Sequence, residues 1–464
     1  MEQTYIDTIA AILQLQEHNP FAGIDSSEYP AVMAAHREAY PVSIRLNPYK
    51  TFQPEQAYER VPWCGYGYYL PERPVFTLDP LFHAGAYYVQ EASSMFVAHV
   101  YDYIREACTG PVKVLDLCAA PGGKSTLLAS LLPADDILVS NEVIQGRAGI
   151  LVENMVRWGQ ANTWVLQNDP EMIGKSLENT FDIMLIDAPC TGSGLWRKDQ
   201  AAIDEWSVQH VKLCAERQKR IIADSYAALK QDGYLVYATC SYSPEEDEAI
   251  CDWITEHFDV IPVSIPFPPE WNIVRSYSSA HRAEGYHFYP WKLKGEGLFI
   301  AVFKKNDGAA VPAGRKPGKK RASRKPFIPA TAWEQYIDGA WHYELIREEI
   351  YAFPPHHYDF FEQIRDKVYI RKAGLKLGQE TGRDVIPSHE LALSIHLRKD
   401  LPAVALTREE ALLFLKKEPV ATDRGLKGWH TATYQGLPLG WGKWMPGRMN
   451  NYLPKHWRIR MDIG

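Results

Sequence analysis

Apolar and polar positions follow two different periods along this chain, and the alternation between them outlines its architecture. From Val112 onward, short apolar runs of strand type recur at 112–118, 137–142, 163–168, 182–187 and 234–239. Stretches with helical spacing separate them at 124–132, 144–158, 201–230 and 244–257, and late runs at 258–265 and 297–304 complete the set. Strands alternating with helices predict an α/β, Rossmann-like fold: a mainly parallel sheet, covered on both faces, with its ligand edge at the carboxyl ends of the strands. Ahead of it, residues 5–16 are amphipathic at helical spacing, 43–48 read as a strand leaving into a turn, and 85–95 turn into a helix led by Gln90 and Glu91. Two capping boxes mark helix starts. Ser243-Pro244-Glu245-Glu246, with proline at the first helical position, predicts a start at Ser243, and Thr407-Arg408-Glu409-Glu410 opens a helix through Lys417.

Length and composition divide the remainder. At 464 residues the chain exceeds one compact domain. The division predicted is a small α+β RNA-binding segment at 1–84, the α/β catalytic body at 85–305, a basic flexible linker at 306–327, and a C-terminal RNA-binding region at 328–464. Seven Lys or Arg between Arg315 and Lys325, among Gly, Ala and Pro, define the linker. It either brushes RNA phosphates or is a plain soluble tether. Residues 434–460 contain no acid and interleave Lys443, Arg448, Lys455, Arg458 and Arg460 with Trp441, Trp444, Tyr452 and Trp457, a pattern suited to stacking and phosphate contact. The net charge of −7 does not advertise a nucleic-acid binder, so any such binding rests on local patches. Arg45, at a strand end, is read equally as a phosphate contact or as a solvated side chain. No apolar run reaches the length of a membrane span, and the expectation is a cytoplasmic monomer. Seven scattered cysteines form neither a disulfide framework nor a C-x-x-C pair, so no metal is expected and individual thiols are free for chemistry.

The segment 112–124, VKVLDLCAAPGGK, is where a ligand belongs. A strand, a glycine turn and a helix former in succession open a Rossmann-like unit, and Gly122 and Gly123 let the backbone approach a ligand closely. Gly123-Lys124-Ser125 matches the end of a phosphate-binding P-loop, but Cys118 stands where its first glycine is required. The dinucleotide fingerprint fails too, because only one glycine pair is present. Glu142 ends the next strand, about twenty residues after the first, where an acid holds ribose hydroxyls. A nucleoside without a triphosphate fits, and S-adenosylmethionine is the candidate.

The same rim collects Asp169, then Asp187-Ala188-Pro189-Cys190, then Thr239-Cys240-Ser241. A strand-end Asp is often only a helix cap, and a lone cysteine is usually a small buried apolar residue, as expected for Cys108, Cys214 and Cys251. Cys240 differs because a helix N-terminus is predicted just after it, which favours thiolate, although the acids 245–248 oppose that. Two thiols and an acid beside a methyl donor point to pyrimidine chemistry. Addition of a thiolate to carbon 6 breaks aromaticity and makes carbon 5 nucleophilic, while the acid hydrogen-bonds the ring. The target base must be unstacked to reach such a pocket.

DLCAAPGGKS, IDAPCTGSG and ATCSYSPEEDE closely resemble the motifs of the Sun/Fmu-type RNA (cytosine-5) methyltransferases. SIRLNP, GAYYVQEASS and GEGLFIAVFKK are similar to that family's flanking motifs, so the resemblance covers residues 40–305. It implies that Cys240 is the nucleophile and that Cys190 assists product release and proton removal. Cys190 is the alternative nucleophile, since DNA cytosine methyltransferases use the cysteine of that motif. The resemblance further implies that Cys118, Ala119, Ala120, Pro121, Gly122, Gly123, Lys124, Glu142, Asp169 and Asp187 bind S-adenosylmethionine, with Asp187 also near the cytosine. GLPLGWGK and NYLPKHWRIR resemble the C-terminal PUA-like domain of RsmF-type 16S rRNA methyltransferases, which implies 16S rRNA or the small ribosomal subunit as partner. A tRNA cytosine-5 methyltransferase and an RNA-binding ribosome assembly factor with incidental methylation are the alternatives.

Overall fold

The computed structural model describes residues 2–15, 18–21, 23–52, 54, 57–199, 201–306, 333–382, 384–420 and 425–462. The expected basic linker lies outside them from residue 307 on. The largest sheet has ten strands: β1 (Lys113–Asp116), β2 (Ile137–Asn141), β3 (Thr163–Leu166), β4 (Phe181–Asp187), β5 (Leu229–Thr239), β6 (Val260–Pro262), β7 (Val274–Tyr277), β8 (Glu284–Phe288), β9 (Leu298–Lys305) and β10 (Ile370–Lys372). Their order is β7-β8-β9-β5-β4-β1-β2-β3-β10, with β6 pairing β9. The pairs β2–β3, β1–β2, β1–β4 and β4–β5 are parallel, as the alternation of strands and helices predicts.

Burial explains why these strands read as unbroken apolar runs. Every residue of β2 and β3 is buried, because both faces of the sheet are covered. Val114, Ile183 and Leu185 face one core with Phe96 and Val100; Leu115, Met184 and Ile186 face the other with Ile222 and Phe361. Successive side chains thus serve opposite cores. The edge beyond β3 is closed by β10, from the C-terminal region, where Ile370 lies opposite Leu166 and Gln167 donates its N–H to Tyr369 O at 3.0 Å. Nothing local in the sequence encodes this pairing, which spans two hundred residues.

Arg45 matches neither of its two readings. It lies in strand Val42–Leu46 of a four-stranded N-terminal sheet and is fully buried. Its guanidinium donates to Gln90 Oε1 (2.8 Å), Ser130 Oγ (2.8 Å) and Thr126 Oγ1 (2.6 Å) and lies 4.4 Å from the centre of the Trp158 ring. The residue pins the N-terminal sheet to helix Gly123–Leu131. The segment 85–95 forms strand Tyr87–Val89 and a 3₁₀ turn Ser93–Phe96 before helix Val97–Ala107, with the Glu91 carboxylate accepting from Ser93 N and Ser94 N.

Helix predictions need two corrections. The stretch 201–230 splits into Ala201–Glu205 and Val208–Ser225, because Ser207 is extended and caps the second by accepting from His210 N, and β5 already begins at Leu229. The capping box at Ser243 does not form. Ser243 Oγ is buried without a partner, residues 244–247 make a turn, and the helix begins only at Glu248. The Glu246 carboxylate, expected back at Ser243, is engaged elsewhere. The helix dipole therefore gives Cys240 none of the help expected from an adjacent N-terminus, since the field falls off within a turn.

The other box is complete: Glu410 N donates to Thr407 Oγ1 (3.2 Å) and Thr407 N to Glu410 Oε2 (3.0 Å), opening Arg408–Lys416. Thr407→Ala removes one acceptor for an orphan N–H and should cost about 1 kcal/mol of stability. A denaturant midpoint on the full chain checks this. Two further four-stranded sheets form the C-terminal region, and the core of the last one includes Ala84 from the N-terminal segment. No described helix is long and apolar enough to cross a membrane.

Candidate active site

The central sheet reverses its winding between β1 and β4, so the loops after these two strands diverge and leave a crevice. A pocket of about 170 Å³ opens there, lined by Asp116, Cys118, Ala119, Ala120, Pro121, Gly123, Lys124 and Asp187. Gly122 adopts φ +113°, a conformation that glycine reaches without strain, and this turns the loop into helix Gly123–Leu131. Helix Gln145–Trp158 holds the loop from behind: Arg147 donates to Ala120 O and Asn154 to Pro121 O, both at 2.7 Å.

The expected cofactor residues part company here. Glu142 and Asp169 do not line this pocket. Glu142 is buried, accepts from Ile144 N at 2.9 Å and lies 3.6 Å from Arg147, whereas Asp169 caps helix Pro170–Ser176 by accepting from Glu171 N. Tyr88, Gln90, Glu91, Ser94 and Asp116 line the pocket although sequence reasoning assigned them no such role. An acid inside the apolar run VLDL was the available signal for Asp116. Burial pushes its carboxyl up to about 7, partly offset by the Ser125 hydroxyl at 2.6 Å, and its Oδ1 has no partner. Burial also pushes the Cys118 thiol up, reinforced by Asp116, Asp187 and Glu142.

Across the crevice, the turns after β4 and β5 bring the two remaining thiols together. Cys190 Sγ and Cys240 Sγ are 3.2 Å apart. Lys124 Nζ donates to Asp187 Oδ2 at 2.7 Å, and although burial opposes its charge, Asp187 and then Cys240 leave its pKa raised. Gly194 N donates to Cys240 O at 2.8 Å and Tyr242 N to Ser193 Oγ at 2.8 Å. A Cβ at Gly194 would sit 2.8 Å from Cys240 O, so only glycine permits this approach. Cys214 and Cys251 are buried as expected, while Cys108 is half-buried and Cys64, unassigned from sequence, is buried.

The C-terminal basic and aromatic stripe divides. Trp441 and Trp444 belong to cores, and Lys443 pairs with Asp384 at 2.7 Å. Arg448 and Arg460 are exposed, and Tyr452 is on the margin of exposure.

A parallel sheet wound 3-2-1-4-5, with a glycine turn and acids at its switch point, defines the Rossmann-like methyltransferase class. A family profile described as 16S rRNA methyltransferase RsmB/F matches residues 109–304. Profiles for the N-terminal domain of 16S rRNA methyltransferase RsmF and for the methyltransferase RsmF PUA domain match 19–92 and 401–459. Ribosomal RNA small subunit methyltransferase F of Aliivibrio fischeri (strain MJ11) is 31% identical over 477 residues, covering 96% of each chain. The Aeromonas hydrophila protein of the same name is 32% identical, over 85% of this chain and 84% of its own. Among solved structures, a methyltransferase homolog protein from Pyrococcus horikoshii aligns with 65% of this chain and 99% of its own, at 27% identity and a TM-score of 0.53. The chain belongs to the ribosomal RNA small subunit methyltransferase F family. It is an RNA methyltransferase, and its cofactor is S-adenosylmethionine.

Proposed function

We propose that this enzyme methylates carbon 5 of a cytosine in 16S rRNA through a covalent bond from Cys240 to carbon 6. The observation that carries this reading is the pair of thiols 3.2 Å apart, beside the Lys124–Asp187 pair that lines the pocket. The residues fit the cofactor: a glycine-turned backbone cradle, the unpartnered oxygen of buried Asp116, and the Asp187 carboxylate suit a cationic nucleoside. S-adenosylmethionine supplies an electrophilic methyl group when bound. Cys118, Ala119, Ala120, Pro121, Gly122, Gly123, Lys124 and Asp187 would hold it.

Cys240 thiolate adds to carbon 6, and Asp187, at the end of β4, hydrogen-bonds the ring and draws electrons toward it. Carbon 5, now enamine-like, takes the methyl group. Cys190 then assists transfer of the carbon-5 proton to a base, the carbon–hydrogen electron pair re-forms the 5,6 double bond, and the sulfur–carbon pair returns to Cys240. The hydrogen bond with Cys240 and burial push the Cys190 thiol well up. The resemblance of the TCS motif around Cys240 to that of the RNA cytosine-5 methyltransferases is what supports Cys240 over Cys190 as nucleophile. We further propose the division 1–84, 85–305, 306–327 and 328–464, with both terminal regions holding RNA.

Bisulfite sequencing of total RNA, from cells with and without the gene, tests reaction and substrate together. Loss of one protected cytosine in 16S rRNA is the expected result. Loss in tRNA would keep the chemistry and discard the substrate, and no difference anywhere would discard both.

A further inference from the structure

The failed capping box at Ser243 leaves a glutamate inside the protein, engaged in something other than a helix. Glu246 is fully buried between the turn that carries Cys190 and the turn that carries Cys240. Its Oε1 accepts from Thr191 N at 3.0 Å and from Gln218 Nε2 at 3.0 Å. Its Oε2 accepts from Ser241 Oγ at 2.7 Å and from Thr191 Oγ1. Gln218 also donates to Pro189 O at 3.1 Å. Thr191 and Pro189 flank Cys190, and Ser241 follows Cys240. One carboxylate therefore gathers four donors from three elements, and the neighbours of both thiols are among them.

We propose that Glu246 is a positioning residue that sets the separation and alignment of the Cys190 and Cys240 thiols. This rests on the reading that both cysteines take part in the reaction. Physical chemistry favours a carboxylate at this point. Four buried donors need four lone-pair sites, which an ionised carboxyl supplies and a neutral side chain of the same shape does not. Burial raises the pKa of Glu246, and the bonds from Thr191, Ser241 and Gln218 oppose that rise. The two turns are also joined by Ser193 Oγ, two residues beyond Thr191, which accepts from Tyr242 N at 2.8 Å. Ser193 Oγ and Thr191 Oγ1 lie 3.4 and 3.5 Å from Ser241 Oγ, at the limit of hydrogen bonding. The main-chain bond from Gly194 to Cys240 O fixes the far end of the loop, three residues beyond Thr191. Without Glu246, Thr191 loses both of its bonds to the carboxylate, and the adjoining Cys190 sulfur is held only through Pro189 on one side and Ser193 on the other.

The test reads the thiol pair directly, without RNA. Diamide removes two electrons and two protons from neighbouring thiols to form a disulfide, and its rate reports how often the sulfurs meet. Wild-type protein should form the Cys190–Cys240 disulfide, identified by mass spectrometry of non-reduced peptides. Glu246→Ala should slow it at least about tenfold, lower kcat for methylation by a similar factor, and leave KM for S-adenosylmethionine within about twofold. Glu246→Gln, which keeps shape and part of the acceptor set, should recover part of both. If Glu246→Ala does not fold, Thr191→Val serves in its place, removing one donor from the same carboxylate, with a smaller slowing expected. Disulfide rates within twofold of wild type in folded Glu246→Ala, or in Thr191→Val when that variant replaces it, would overturn the proposal. So would absence of the disulfide in wild type, or a loss of cofactor affinity as large as the loss of kcat. A slowed disulfide in an enzyme whose Cys240→Ala variant still methylates would keep the positioning role and discard the covalent reading, so the two failures are separable.

Discussion

Cys240→Ala eliminates methylation, by at least about a thousandfold, while S-adenosylmethionine still binds with its dissociation constant within about twofold of wild type. The size of the effect follows from the chemistry. Carbon 5 of cytosine is a poor nucleophile until a group adds at carbon 6, and alanine has nothing to add. The sparing of the cofactor follows from the geometry, because Cys240 is not among the residues that line the pocket. Folding should also survive. Cys240 is half-buried, and its sulfur makes one hydrogen bond, to Cys190. Transfer of a tritiated methyl group and equilibrium dialysis measure the two properties separately. Retained methylation in a folded variant would sink the role given to Cys240, and loss confined to the Cys190 variant would exchange the two.

The second large effect concerns the end of the cycle. Cys190→Ala leaves the nucleophile in place but removes the thiol 3.2 Å from it. The covalent adduct still forms, and its breakdown slows by about a hundredfold or more, as for loss of a general acid–base group. Enzyme with RNA attached then accumulates and migrates as a shifted band on a denaturing gel. A Cys190→Ala/Cys240→Ala double variant should show no such band, which ties it to the Cys240 sulfur. Absence of the band from the single variant, with turnover near normal, would remove Cys190 from the mechanism.

The parallel strands, the ligand rim at their carboxyl ends and both cysteine turns were legible from local patterns, because parallel strands buried on both faces leave continuous apolar runs that glycine and proline interrupt; the order of the strands was not. Arg45 was not legible. Its sequence surroundings suit a strand end at the surface, and only the tertiary structure, with Trp158 over its guanidinium and three side-chain acceptors, makes an unpaired buried cation tolerable. Ser243 misled for the opposite reason. The local signal was a complete capping box, and it lost its glutamate to Thr191, Gln218 and Ser241, which lie outside the box. Asp169 shows the limit of position as evidence. It stands at the rim as expected, yet its carboxylate is taken up by its own helix. Propensity and spacing report what a segment can do alone, and a side chain with a better partner elsewhere departs from both.

The antiparallel strand β10 bears on how this protein is made. Synthesis proceeds from the N-terminus, so β3 leaves the ribosome with its outer row of N–H and C=O groups unpaired, and β10 emerges some two hundred residues later. Throughout that interval the nascent α/β body presents a hydrogen-bonding edge that other chains can occupy. Shortening the gene before the codon for Ile370 makes that interval permanent. Such a truncated product should keep its methyl-donor pocket and yet be lost to aggregation at working concentrations, so the tail acts as the body's own protection against self-association.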